Sequence, residues 1–162
     1  MRNFIEATKA AVAAGNWYAA LTIALTMPDI CGRLEDPSKG SQARFVGWYD
    51  RYLLKCYQFE VGSSQMLHTF LCGSDCYALR CAFLHQGEFG IDDQSARQAL
   101  EHFHFTAPRP GSFIHMNQYD MALQLQVDRF CLDVCDGVEQ WLQDIQGNAD
   151  IQARMGKLAT IS

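Results

Sequence analysis

Residues 73–88 read GSDCYALRCAFLHQGE, and within them Arg80 and His85 stand five apart, just before Gly87. An imidazole exchanges protons near neutral pH, and a guanidinium fork holds two oxygens of one anionic group. Together the two side chains supply acid–base chemistry and stabilisation of developing negative charge, with no metal required. A structural role is equally open: Arg80 can pair with a surface carboxylate, and His85 can cap the last carbonyls of its helix. Asp75, five residues before Arg80, either orients the guanidinium or caps the helix start.

A second group lies further along. In EHFHFTA, His102 and His104 alternate with Phe103 and Phe105, so on a strand the two histidines share one face. Arg109 follows within APRPGS. With His115 on a neighbouring strand these histidines are a candidate metal set, although exposed strand histidines are commoner than ligands. There is no Gly-rich phosphate loop with Gly-Lys-Ser/Thr, no Gly-x-Ser-x-Gly elbow and no His-Glu-x-x-His, which argues against the commonest nucleotide, hydrolase and protease classes.

The elements that must carry these residues can be read from periodicity. RNFIEATKAAVAA suits a short helix closed by Gly15, and WYAALTIAL is apolar on nearly every side and belongs at the centre of the fold. Pro28 is expected to end that helix, leaving MPDICGRLEDPSKGS as a loop with at most one helical turn. Ser41 is expected to cap QARFVGWYDRYLLKCY, whose Phe45, Trp48, Tyr49, Tyr52 and Leu53 recur at three- and four-residue steps and form a core-facing stripe. GSSQMLHTFLCGSD is expected to add two helical turns. Ser74 or Asp75 then caps the helix carrying Arg80 and His85, and Gly87 ends it. EHFHFTA and MALQLQV alternate as strands, and APRPGS is expected to close a hairpin onto FIHMN, giving a small antiparallel ribbon. VDRFCLDVCDGVEQWLQDI returns to helix with one apolar stripe. The expected domain is residues 1–150, a bundle of four or five helices with the ribbon before the last; 151–162 reads as a flexible tail.

At 162 residues the chain can bury one substantial core. Charged residues make up 19% and the formal net charge is -5, so there is no broad basic field for long-range attraction of nucleic acid; a single phosphate contact needs only one arginine. The seven cysteines include pairs at i, i+4 that are too far apart on a helix for an unstrained disulfide, which points to reduced thiols and a cytoplasmic setting. The apolar run at 10–27 is interrupted by Gly15 and Asn16 and is expected to be a core helix, with no membrane association.

LRCAFLHQG resembles the signature of the HEPN superfamily (higher eukaryotes and prokaryotes nucleotide-binding), whose ribonuclease members carry arginine, four to six residues, then histidine. The resemblance implies an HEPN-like helical bundle and a metal-independent endoribonuclease without cofactor, in which His85 exchanges protons with the ribose 2′-hydroxyl and leaving oxygen and Arg80 holds the scissile phosphate. In the superfamily such activity serves toxin, defence or stress roles. Residues five apart on a helix point about 140° from each other, so the shared two-fold cleft of these enzymes implies a homodimer. His102, His104 and Arg109 would then touch RNA. The position after the arginine, commonly polar in the active enzymes, is Cys81 here, which packs or offers only a weak hydrogen bond. That departure keeps open a second reading, a non-catalytic HEPN-like binding or dimerisation module regulated by a separately encoded partner such as an antitoxin.

Overall fold

The computed structural model describes residues 1–161. Six α-helices make up most of the fold: α1 (Arg2–Ala13), α2 (Trp17–Glu35), α3 (Ser41–Tyr52), α4 (Gly73–Gln86), α5 (Val127–Asp144) and α6 (Ala149–Met155). α2 is the central helix and packs against α1, α3 and α5, as its nearly all-round apolar composition requires. Phe45, Trp48 and Tyr49 of α3 and Phe130 and Trp141 of α5 are fully buried in the one core, where Tyr57 bridges the rings of Tyr49 and Phe130.

α2 does not stop at Pro28. It continues to Glu35, although a proline in a helix interior costs about 3 kcal/mol. The second half offsets that loss by burying Cys31, Gly32 and Leu34 and by placing Asp29 against Arg44 of α3, with 3.2 Å between Oδ1 and Nη2. Gly32 makes the crossing possible: a Cβ there would stand 2.6 Å from the Arg44 carbonyl oxygen.

Three further expectations change at chain turns. Gly40, not Ser41, precedes the first turn of α3, and the helix gives way to a short 3₁₀ turn, Leu54–Tyr57. The stretch from Gly62 expected to add two helical turns instead supplies the turn and second strand of a hairpin, β1 (Gln58–Val61) and β2 (Met66–Thr69), reversed through Gly62 at φ +73°. α4 is capped not by Ser74 or Asp75 but by the Cys72 thiol, whose sulfur accepts from the Asp75 amide at 3.4 Å, while Gly87 ends the helix in the expected left-handed conformation at φ +76°.

The ribbon after α4 is mixed. β3 (His102–Thr106) runs parallel to β5 (Ala122–Gln126), and β4 (Asn117–Tyr119) joins β5 antiparallel from the other side, giving the order β3-β5-β4. Phe113, Ile114 and His115 form no strand, so the hairpin expected through APRPGS is absent. Burial explains the choice. Parallel register sets Phe103 beside Leu123 and Phe105 beside Leu125, and one apolar layer then covers Phe130 of α5. The boundary expected at residue 150 falls inside α6, whose Ile151 is buried and whose Arg154 Nε donates to the Leu34 carbonyl at 2.6 Å.

Candidate functional site

Arg80 and His85 come together within one chain. Arg80 Nη1 lies 3.2 Å from His85 Nε2, because the long arginine side chain spans the angular gap that the helix leaves between them. A guanidinium only donates, so Nε2 is the accepting lone pair and the neutral ring carries its proton on Nδ1. The pair therefore does not need a second copy to bring its two groups into contact. His85 is exposed at the helix end, whereas the Arg80 side chain is 18% exposed.

Behind the pair stands Asp29 of α2. Its Oδ2 is 3.9 Å from Arg80 Nη2, and its Oδ1 is 3.2 Å from Arg44 Nη2. One carboxylate thus faces two guanidiniums, leaving a local excess of one positive charge in an acidic chain. The buried Arg80 Nε has no acceptor. Sequence reasoning missed Asp29 and Arg44 because Asp29 sat in a presumed loop; the only available signal was a lone carboxylate beside an otherwise apolar helix.

Asp75 serves the scaffold. Its buried carboxylate accepts the amides of Gln98 at 2.6 Å and Ala99 at 3.2 Å, pinning the segment that leads into β3. It is not the group that orients Arg80; Asp29 occupies that position. Cys81 is half-buried, with its sulfur 3.9 Å from Arg80 Nη1.

The strand residues divide into two environments. His102 and His104 point outward from β3, in register with Ala122 and Gln124 of β5. His104 and Arg109 line one groove of about 220 Å³ together with Thr106, Ser112, Gln124 and Gln126. His115 is elsewhere: its side chain is 2% exposed, inserted between the 3₁₀ turn and α5. Its Nδ1 accepts the Gln126 amide at 3.2 Å, which puts the neutral ring's proton on Nε2. That Nε2 lies 3.8 Å from Asp133 Oδ2, too far for a hydrogen bond, and has no other partner. Asp133 in turn accepts from Tyr57 Oη at 3.2 Å and Arg129 Nη2 at 2.8 Å. Burial lowers the His115 pKa to about 4, with Arg129 adding to the effect, and burial raises that of Asp133.

The three histidines of the candidate metal set therefore do not converge. Among the described residues there is no group of three or more His, Cys, Asp or Glu side chains placed to hold a metal ion. All seven cysteines are free thiols, and burial raises the pKa of Cys31, Cys76, Cys131 and Cys135. No helix among the described residues is long and apolar enough to cross a membrane. No family model, curated protein or solved structure matches the chain.

Proposed function

We propose that this chain is an HEPN-like, metal-independent endoribonuclease, cytoplasmic and homodimeric, acting in a toxin, defence or stress role under control of a separately encoded partner. The observation that carries the reading is the 3.2 Å contact between Arg80 Nη1 and His85 Nε2. At rest the arginine shields the lone pair that would act as base. An incoming phosphodiester would take the guanidinium N–H groups into its non-bridging oxygens, and the freed Nε2 would meet the 2′-hydroxyl. The hydroxyl proton passes to Nε2, the 2′-oxygen bonds to phosphorus as the P–O5′ bond breaks, and the 5′-oxygen of the next nucleotide leaves with a proton taken from solvent water, which regains one when the imidazolium releases its proton. Asp29 holds the guanidinium from behind, where the second arginine keeps the cluster net positive.

One observation favours the module reading. Arg80 is already engaged by Asp29 and His85 and is mostly covered, and Cys81 follows it where the active enzymes carry a polar residue. RNA cleavage in EDTA separates the two. In the enzyme reading the wild type cleaves while folded His85→Ala and Arg80→Ala do not. In the module reading all three are inactive on every RNA tested.

A further inference from the structure

The outward face of the β3-β5-β4 sheet differs in charge from the rest of the molecule. Its positions are His102, His104 and Thr106 on β3, Ala122 and Gln124 on β5, and Asn117 and Tyr119 on β4, with Gln126 buried at the end of β5, where its Oε1 accepts the Ile114 amide. No carboxylate is among them, in a chain with 18 acidic and 13 basic residues. Glu101, which leads into the face, is paired with Arg97 at 3.3 Å. The register aligns His104 with Gln124 and Gln124 with Asn117, whose Nδ2 donates to Gln124 Oε1 at 3.0 Å, so one polar row crosses all three strands.

The row ends in a built rim. Arg109-Pro110-Gly111-Ser112 is a tight turn: Gly111 has φ +74°, and the Ser112 amide donates to the Arg109 carbonyl at 3.1 Å. The turn brings Arg109 and Ser112 over His104, Gln124 and Gln126 and encloses the groove of about 220 Å³, a volume suited to a phosphate with part of its sugar. Tyr119, 84% exposed, stands on the same face at the far edge, two residues along β4 from Asn117. An uncovered ring on an otherwise polar sheet is a platform on which an unpaired base can stack.

We propose that this face binds single-stranded RNA, with one phosphodiester in the groove under Arg109 and one base stacked on Tyr119. The choice of RNA rests on the nuclease reading; the preference for an unpaired strand comes from the sheet itself, since a duplex hides the base faces that Tyr119 would meet. The face would hold substrate by contacts separate from the Arg80–His85 pair. Gln124 and Asn117 can hydrogen-bond base edges next to the stacked ring, and Arg109 and His104 supply the charge that answers the backbone.

The test uses His85→Ala protein, so that any cleavable strand survives, titrated with a short fluorescein-labelled oligouridylate followed by anisotropy. Binding is expected, weakened about tenfold by added Arg109→Ala and by added Tyr119→Ala, and unchanged by Arg33→Ala, which removes an exposed cation of α2. The same oligonucleotide annealed to its complement is expected to bind less well. Circular dichroism establishes that each variant is folded. Absence of single-strand binding at low salt, or equal affinity in the Arg109 and Tyr119 variants and their parent, overturns the proposal. Binding with these losses beside a wild type that cleaves nothing upholds the surface and removes the nuclease. Cleavage beside unaltered affinity in both variants does the reverse.

Discussion

His115 should make this protein lose stability in mild acid, and the size of the loss follows from its surroundings. The ring is inserted among Tyr57, Asp133, Asp128 and Arg129, with its Nδ1 committed to the Gln126 amide and its Nε2 unpartnered. Burial, assisted by Arg129, lowers its pKa from 6.5 to about 4. The unfolded chain therefore binds a proton below pH 6.5 that the native state refuses, so stability falls as pH drops and the loss is complete only below about pH 4. The full span corresponds to about 3.4 kcal/mol, of which about 2 kcal/mol is lost by about pH 5. Asp133 acts in the opposite direction: burial raises its pKa, and protonating it as pH falls relieves a native-state cost. A comparison with a variant that keeps Asp133 cancels that contribution to first order and isolates the histidine. Urea unfolding of the wild type and His115→Gln, compared near pH 7.5 and pH 5, provides the assay. Glutamine keeps an acceptor but cannot titrate, so the wild type should lose about 2 kcal/mol more than the variant across that interval. Equal losses in the two proteins, or an imidazole that titrates near 6.5 by NMR, would refute the reasoning.

Asp75→Ala should destabilise the fold by about 2 kcal/mol in urea unfolding, because the amides of Gln98 and Ala99 lose their shared, buried acceptor. The segment entering β3 should then exchange its amide hydrogens faster. Gly32→Ala should cost about 3 kcal/mol or more, since its Cβ meets the Arg44 carbonyl at 2.6 Å and must force α2 and α3 apart; an unchanged melting temperature would contradict the described crossing. His85→Ala should abolish metal-independent RNA cleavage, a loss of about a hundredfold or more, while changing stability by under about 0.5 kcal/mol because the ring is exposed. Asp29→Asn should weaken the hold on both arginines, and Arg44→Ala measured beside it tells whether the effect passes through the Arg80 side or the Arg44 side of the shared carboxylate.

Elements governed by neighbours a few residues away were legible in the chain. The aromatic stripe of α3, the apolar stripe of α5 and the left-handed stop at Gly87 each follow from a local pattern with one physical solution. Pro28 misled for the same reason: its local cost is real, but burial of Cys31, Gly32 and Leu34 beyond it outweighs that cost. The hairpin at 58–69 is not legible either: its turn and second strand read as helix from Gly62 on, since two four-residue strands around Gly62-Ser63-Ser64-Gln65 carry too few residues for alternation to stand out against a serine-capped helical turn. In the candidate site, the types and spacing of Arg80 and His85 were visible, but their contact was not. The angle between helix positions five apart describes where side chains start, and a flexible arginine decides where its guanidinium ends.

The sequence by itself determined a predominantly helical, acidic chain with one large core, an arginine and a histidine at the end of a capped helix, and two outward histidines on an alternating strand. These depend on composition and on periods of two and 3.6 residues, which the chain carries locally. Tertiary structure alone decided that Asp29 rather than Asp75 backs Arg80, that β3 pairs parallel with β5, and that His115 enters the core while His104 meets Arg109 over a groove. Each of these joins residues far apart in the chain, and each depends on which arrangement buries the most apolar surface, even where it strands a polar atom such as His115 Nε2, a condition that no single segment can state.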